Sequence, residues 1–202
     1  MRKTTRIAMP LLLLGLAMVM GCAKPPQEAV DSAKQAIEAA RAAGANDYAP
    51  ESLRMAEDKA NAMTTELEAQ MKKFALMRSF KNVSVMAADA KAAGEKAVAD
   101  ATTGKEKAKA DAEALLGQVK TALDEANALL ATAPAGKGSQ MDIEAMKADL
   151  SGVATQIAEG EAAHAQGMYM QSKAKFEAAM GAVNNVKMAV QQAIDMKKGK
   201  KS

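Results

Sequence analysis

The chain has no tryptophan, one cysteine and one histidine among its 202 residues. A lone cysteine has no disulfide partner within the chain. There is no metal-ligand spacing of Cys and His and no glycine-rich phosphate loop. Charge of one sign is also missing. The formal net charge is +3, but Arg2, Lys3 and Arg6 all fall in the first six residues. Beyond them, 24 basic residues face 24 acidic ones, which removes the electrostatic case for binding nucleic acid. No uncharged run is long. The run from Ile7 to Met20 has 14 residues, short of the ~20 that a membrane-spanning helix needs.

Aromatics are equally scarce, at Tyr48, Phe74, Phe80, Tyr169 and Phe176. Runs of β-branched residues are absent, while alanine is abundant and Glu, Lys, Gln and Met fill most of the rest. These are strong helix formers. Alanine buries little area, so its contribution per residue to a core is small. It does let helices approach closely. The composition predicts an elongated, all-α protein with slim helices and a thin core, without a deep pocket.

The first residues have an organisation of their own. A basic start, a short apolar core and small residues at its end form a secretory signal peptide. The run closes on Val19-Met20-Gly21-Cys22, and the only cysteine of the chain stands at that border. The pattern resembles the lipobox of bacterial lipoproteins. The resemblance implies a diacylglycerol on the Cys22 thiol, cleavage between Gly21 and Cys22, and acylation of the new amine. Lipid on Cys22 accounts for both the position and the solitude of the cysteine, and two lipid signals already suffice for stable attachment. The sorting habit of that family, with Ala23 and not Asp after the cysteine, implies the outer membrane, facing the periplasm. Residues 1–21 are read as signal peptide and 22–26 as lipid anchor and tether.

Helical periodicity then runs through the chain. Val30, Ala33, Ile37 and Ala40 share a face, and Gly44 stands where a C-terminal cap belongs. Asn46-Asp47-Tyr48-Ala49-Pro50 reads as a turn with Pro at the first helical position. Leu53, Ala56, Ala60, Met63, Leu67, Met71 and Phe74 form a second stripe. Phe80, Val83, Ala87, Ala90, Gly94 and Ala97 form a third, with the intervening turn near 75–79. Residues 99–113 are polar all round, the mark of a solvated bridge. Apolar spacing returns at Leu115, Leu116, Val119, Leu123, Ala126 and Leu130. A helix from 80 to 132 would be roughly 80 Å long, with a bend expected near Gly104.

Residues 133–139 are a loop with Pro134, Gly136 and Gly138, and Ser139 with Asp142 reads as a capping box. Ile143, Met146, Leu150, Val153 and Ile157 mark the next helix, Gly167 a turn, and Ser172, Phe176, Ala179, Val183, Val186, Val190 and Ile194 the last helix. An echo at an offset of about 90 pairs Val30-Asp31-Ser32-Ala33 with Val119-Lys120-Thr121-Ala122, and Phe80 with Tyr169. The expected architecture is two three-helix modules, 27–98 and 114–196, sharing one long helix through a bridge at 99–113, with a basic tail at 197–202.

Ala43-Gly44-Ala45, Tyr48-Ala49-Pro50, Leu53 with Ala56, Phe80 and Ala88-Asp89-Ala90 together resemble a family of bacterial envelope lipoproteins and alanine-rich helical domains of unknown function. The likeness spans about residues 30–97. It implies a helical periplasmic module with no assigned chemistry.

Little in the sequence points to catalysis. Carboxylates are interleaved with lysines, as on solvated helix faces, and the expectation is a protein that is not an enzyme and takes no cofactor. "HAQGMYMQ", from His164 to Gln171, is the one cluster with soft-metal character. His164 and Met168 would be the ligands of Cu(I) or Ag(I). The plainer reading is core methionine beside a helix-end histidine. Tyr48 either packs over the corner between the first two helices or contacts a partner. Lys197, Lys198, Lys200 and Lys201 either complement a helix dipole or touch anionic lipid or cell-wall polymer. The reading as a whole is a lipid-anchored envelope protein with a structural or protein-binding role. Its alternative is a binder of soft metals or small ligands. The expected partners are the membrane through Cys22, and an envelope protein or cell wall, with no nucleic acid and with oligomers open.

Overall fold

A computed structural model describes residues 24–133 and 140–199, with side chains over 24–133 and 143–196. Gly21, Cys22, the loop at 134–139, the Ser139–Asp142 capping box and the lysine side chains of the tail lie outside the described residues. The described chain is all-helical. Its α-helices are α1 (Gln27–Ala42), α2 (Ala45–Tyr48), α3 (Pro50–Lys72), α4 (Lys81–Ala131), α5 (Gln140–Ala165) and α6 (Tyr169–Gly199), with a 3₁₀ turn at Ala75–Met77. Among the described residues no helix is long and apolar enough to cross a membrane. The chain divides into two compact units, residues 1–101 and 102–202.

In the first unit, α1, α3 and the start of α4 pack through small side chains. Val30, Ala33, Ile37 and Ala40 are the buried face of α1, as their spacing predicts. One layer of the core joins Val30, Ala33, Met63, Phe80, Val83, Ala87 and Ala90. A second joins Ile37, Ala40, Ala45, Ala49, Leu53, Ala56, Ala97 and Ala101. The helices approach so closely that a Cβ on Gly94 would lie 2.9 Å from the backbone carbonyl carbon of Ala36. A glycine that weakens α4 by propensity thus permits its contact with α1.

The two corners of this unit are closed differently. At the first, Gly44 takes φ +85°, a left-handed conformation that disfavours side chains, and its N–H donates to the Arg41 carbonyl at 2.9 Å. The expected turn at 46–50 contains a single helical turn, α2, before Pro50 opens α3 at its first position. The second corner has no glycine. Arg78 closes it, donating from Nε to the Lys73 carbonyl at 3.0 Å and from Nη2 to the Met71 carbonyl at 2.9 Å. Gln70 is buried, and its Oε1 accepts the Ser79 N–H at 3.1 Å. The buried face of α3 runs from Leu53 to Gln70, bypassing Met71, and the helix ends at Lys72. Met71 and Phe74, expected in the core, are exposed at 46% and 71%.

The segment 99–113, expected to be solvated on every face, is helical throughout and is not a bare bridge. Ala101, Ala108 and Ala112 are buried. Ala101 belongs to a core layer of the first unit and Ala112 to the core of the second. The helix passes Gly104 without interruption.

The second unit packs the end of α4 against α5 and α6. Its core holds Val119, Ala126, Leu130, Leu150, Val153, Ile157, Phe176, Val183, Val186 and Val190. Phe176, fully buried, lies over Gly160, where a Cβ would come within 2.4 Å of its ring. Gly167, at φ +75°, turns α5 into α6. Its N–H donates to the His164 carbonyl at 2.9 Å, while Met168 N–H donates to the Ala163 carbonyl at 3.0 Å, the paired bonds of a Schellman end.

These contacts predict substitutions of opposite sign. Gly160→Ala drives a methyl group into the Phe176 ring and should destabilise by about 1–3 kcal/mol. Gly152→Ala meets nothing within 4 Å and should stabilise by about 0.5–1 kcal/mol through helix propensity. Phe176→Ala should cost about 3–5 kcal/mol. Urea titrations followed by circular dichroism measure all three.

Candidate functional site

The candidate residues of the sequence fall in three places: the corner between α1 and α3, the corner between α5 and α6, and the cysteine border upstream of α1. The first carries the Tyr-Ala-Pro motif. Tyr48 is half-buried against the Leu53 layer, and its ring covers Gly44, with a Cβ there 3.2 Å from Cδ2. Ala49 is buried beneath it. A side chain on Gly44 would therefore meet both an unfavourable φ and the tyrosine ring. The motif is a device for turning the chain, which matches the structural reading of Tyr48.

At the second corner, His164 lies on the last turn of α5. Its Nε2 is 3.5 Å from Glu113 Oε1 on α4, an ion pair only when the imidazole is protonated. The contact lacks the geometry of a hydrogen bond, so Nε2 is enclosed without one. The ring of Tyr169 lies 5.0 Å away, tilted at 59°. Ala163, not His164, holds the buried position that continues the stripe of Leu150, Val153 and Ile157. Met168 is half-buried, one residue past Gly167. The neighbours of the imidazole are thus a carboxylate and a phenol ring, neither of which prefers a soft cation. Among the described residues no three His, Cys, Asp or Glu side chains converge as metal ligands.

The charged groups are paired along and between helices. Arg41 binds Glu38 at 2.5 Å and Glu57 of α3 at 2.6 Å. The hydrogen bond to Glu57, with the charge of Glu38 next, raises its pKa above the ordinary arginine value. Lys96, bonded at 2.5 Å, and then the Ser52 hydroxyl hold Asp100 below the usual carboxylate range. Lys107, at 2.7 Å, does the same for Asp111. In the second unit, Lys120 reaches Glu161, Lys175 reaches Glu159 and Lys187 reaches Glu125, each at 2.6 Å. Every one of these shifts favours the charged form. A general acid or base working near neutral pH needs the reverse.

One open cleft lies between α5 and α6, lined by Met146, Gly152, Val153, Gln156, Asn185 and Val186. The Gln156 Oε1 in it is enclosed without a hydrogen-bond partner. No nucleophile or charged pair faces it beyond Asp149. Gly21 and Cys22, the residues with the most specific sequence signal, lie outside the described residues. No family model, curated protein or solved structure matches the chain.

The two depressed aspartates set a pH prediction. Their folded pKa values lie below the unfolded ones, so their stabilisation is complete above the ordinary carboxylate range near ~4 and is lost as pH falls through the folded values. The melting temperature should drop on acidification below that range. The double substitution Asp100→Asn/Asp111→Asn should flatten the drop, as measured by thermal melts across acid pH.

Proposed function

We propose that the chain is a lipid-anchored, periplasm-facing envelope protein with a structural or protein-binding role. The observation that carries this is the border Val19-Met20-Gly21-Cys22, where an uncharged run of signal-peptide length ends on the only cysteine. Acyl chains on that cysteine would hold the mature protein at the outer membrane, where Ala23 directs it.

The helices support the binding role by what they offer. They expose long faces of paired charges and small side chains. The cleft between α5 and α6 is open and is lined by small, apolar and amide side chains with Asp149 alone charged. Surfaces of this kind suit contact with another envelope protein or with cell-wall polymer more than conversion of a small molecule. The distance from the anchor is short. Four residues, Ala23 to Pro26, separate Cys22 from Gln27, the start of α1, a reach of at most about 17 Å. The first unit therefore works at the membrane surface.

The test is Cys22→Ser. Uncut precursor should accumulate, and partitioning into the detergent phase should be abolished. A variant still cut and still membrane-bound would overturn the lipoprotein reading. Titration with Ag(I) addresses the soft-metal alternative. Stoichiometric binding that disappears in His164→Ala would favour that alternative over a purely structural role.

A further inference from the structure

We propose that the corner between α3 and α4 is a membrane-contact tip. In it Phe74, Leu76 and Met77 enter the interfacial layer of an anionic phospholipid surface, and the neighbouring lysines bind its headgroups. The proposal deepens the lipid-anchor reading and rests on it for the membrane concerned.

The first observation is exposure. Phe74, Leu76 and Met77 are 71%, 75% and 74% exposed, and Met71 beside them 46%. These four residues lie within seven positions of one another. A chain with five aromatic residues in all places one of them outward here. Scattered exposed apolar residues are ordinary, whereas a contiguous patch of large ones marks an interaction site.

The second observation is charge. No acidic residue occurs from Ala69 to Ala88, in a chain otherwise balanced between acids and bases. The same stretch holds Lys72, Lys73, Arg78 and Lys81. The three lysines are exposed. Apolar side chains surrounded by free ammonium groups match the layered chemistry of a membrane interface, acyl chains beneath and phosphates above.

Third, the tip is built and not slack. Arg78 is occupied in bracing it, through its bonds to the Lys73 and Met71 carbonyls. Gln70 ties Ser79 from the other side while its amide donates to Glu66 at 2.7 Å. Phe80 turns inward and is buried, so the outward course of Phe74 to Met77 is set by the corner.

The fourth observation names the occupant. Ala36 on α1 packs against Gly94 on α4, and Val30 shares a core layer with Phe80 and Val83. The start of α1 therefore lies beside the start of α4, at the end of the unit that carries the tip. The chain leading back to Cys22 leaves from that same end. Lipid on Cys22 would hold the unit with this end against the bilayer. A second copy of the chain offers no such coincidence.

The test uses the chain from residue 22 carrying Cys22→Ser, which retains every described element and has no lipid of its own. Its failure is thus separate from failure of the anchor, which is read by processing and detergent partitioning. Sedimentation with vesicles of phosphatidylglycerol and phosphatidylethanolamine should show binding that high salt weakens. Vesicles of phosphatidylcholine alone should bind poorly. Phe74→Ser/Leu76→Ser/Met77→Ser should lower the partition coefficient more than about tenfold, because the apolar area entering the interface is gone. Circular dichroism should stay unchanged for that variant. The absence of tryptophan allows a direct reading of depth. Phe74→Trp should shift its emission to the blue on anionic vesicles and be quenched by brominated lipid. Three outcomes overturn the proposal: no binding to anionic vesicles, binding unaffected by the triple substitution, or self-association abolished by it, which would assign the tip to a second copy.

Discussion

Close approach of helix backbones is the constraint on which the rest of this structure depends. Alanine fills half of the buried apolar positions among the described residues, and each buried alanine contributes little to a core. Such a core holds only when the helices come near enough for backbone to meet backbone, so that many weak dispersion contacts accumulate. Ala36 against Gly94 in one unit and Gly160 beneath Phe176 in the other are the places where that nearness is most strict. The large side chains are few and are used as wedges that fix register: Met63 and Phe80 in the first unit, Phe176 in the second. The clefts seen among the described residues are open to solvent.

Surface charge follows from the same constraint. Slim helices leave much of each helix facing water, and the chain fills those faces with acids and bases close enough to pair. Pairs across helices, such as Arg41 with Glu57 and Lys187 with Glu125, add register to an alanine interface that has little shape of its own. Exposed pairs contribute only modestly to stability.

Helical periodicity made most of the fold legible. Val30 to Ala40, Phe80 to Ala97 and Ser172 to Val190 are buried where their spacing placed them. Gly44 and Gly167 mark turns because they alone among the described glycines adopt positive φ. Two features escaped. Met71 and Phe74 continue a stripe by spacing, but the buried face of α3 bypasses Met71, and spacing does not report where a helix stops. That stop is made by the Gln70 and Arg78 side chains, which reach backbone groups several residues away. Ala101, Ala108 and Ala112 were hidden because alanine is at home both in water and in a core, and charged neighbours made it look solvated. The candidate site divides the same way. The signal at Cys22 is local, so the expectation there comes from the sequence alone, and the residue lies outside the described residues. The surroundings of His164 depend on Glu113, fifty-one positions earlier in the chain.

The corner at 73–79 carries a consequence for variation. Most tight corners depend on glycine or proline, and their outward residues are constrained along with the turn. Here the geometry is held from behind, by Gln70 and Arg78, and by the Met77 N–H donating to the Phe74 carbonyl, none of which uses the side chains at 74, 76 and 77. Shape and outward chemistry are therefore separable. A lineage could exchange the three outward residues freely, retuning what the corner touches while the helices behind it stay in place. Gln70 and Arg78 would drift far less than the residues they present.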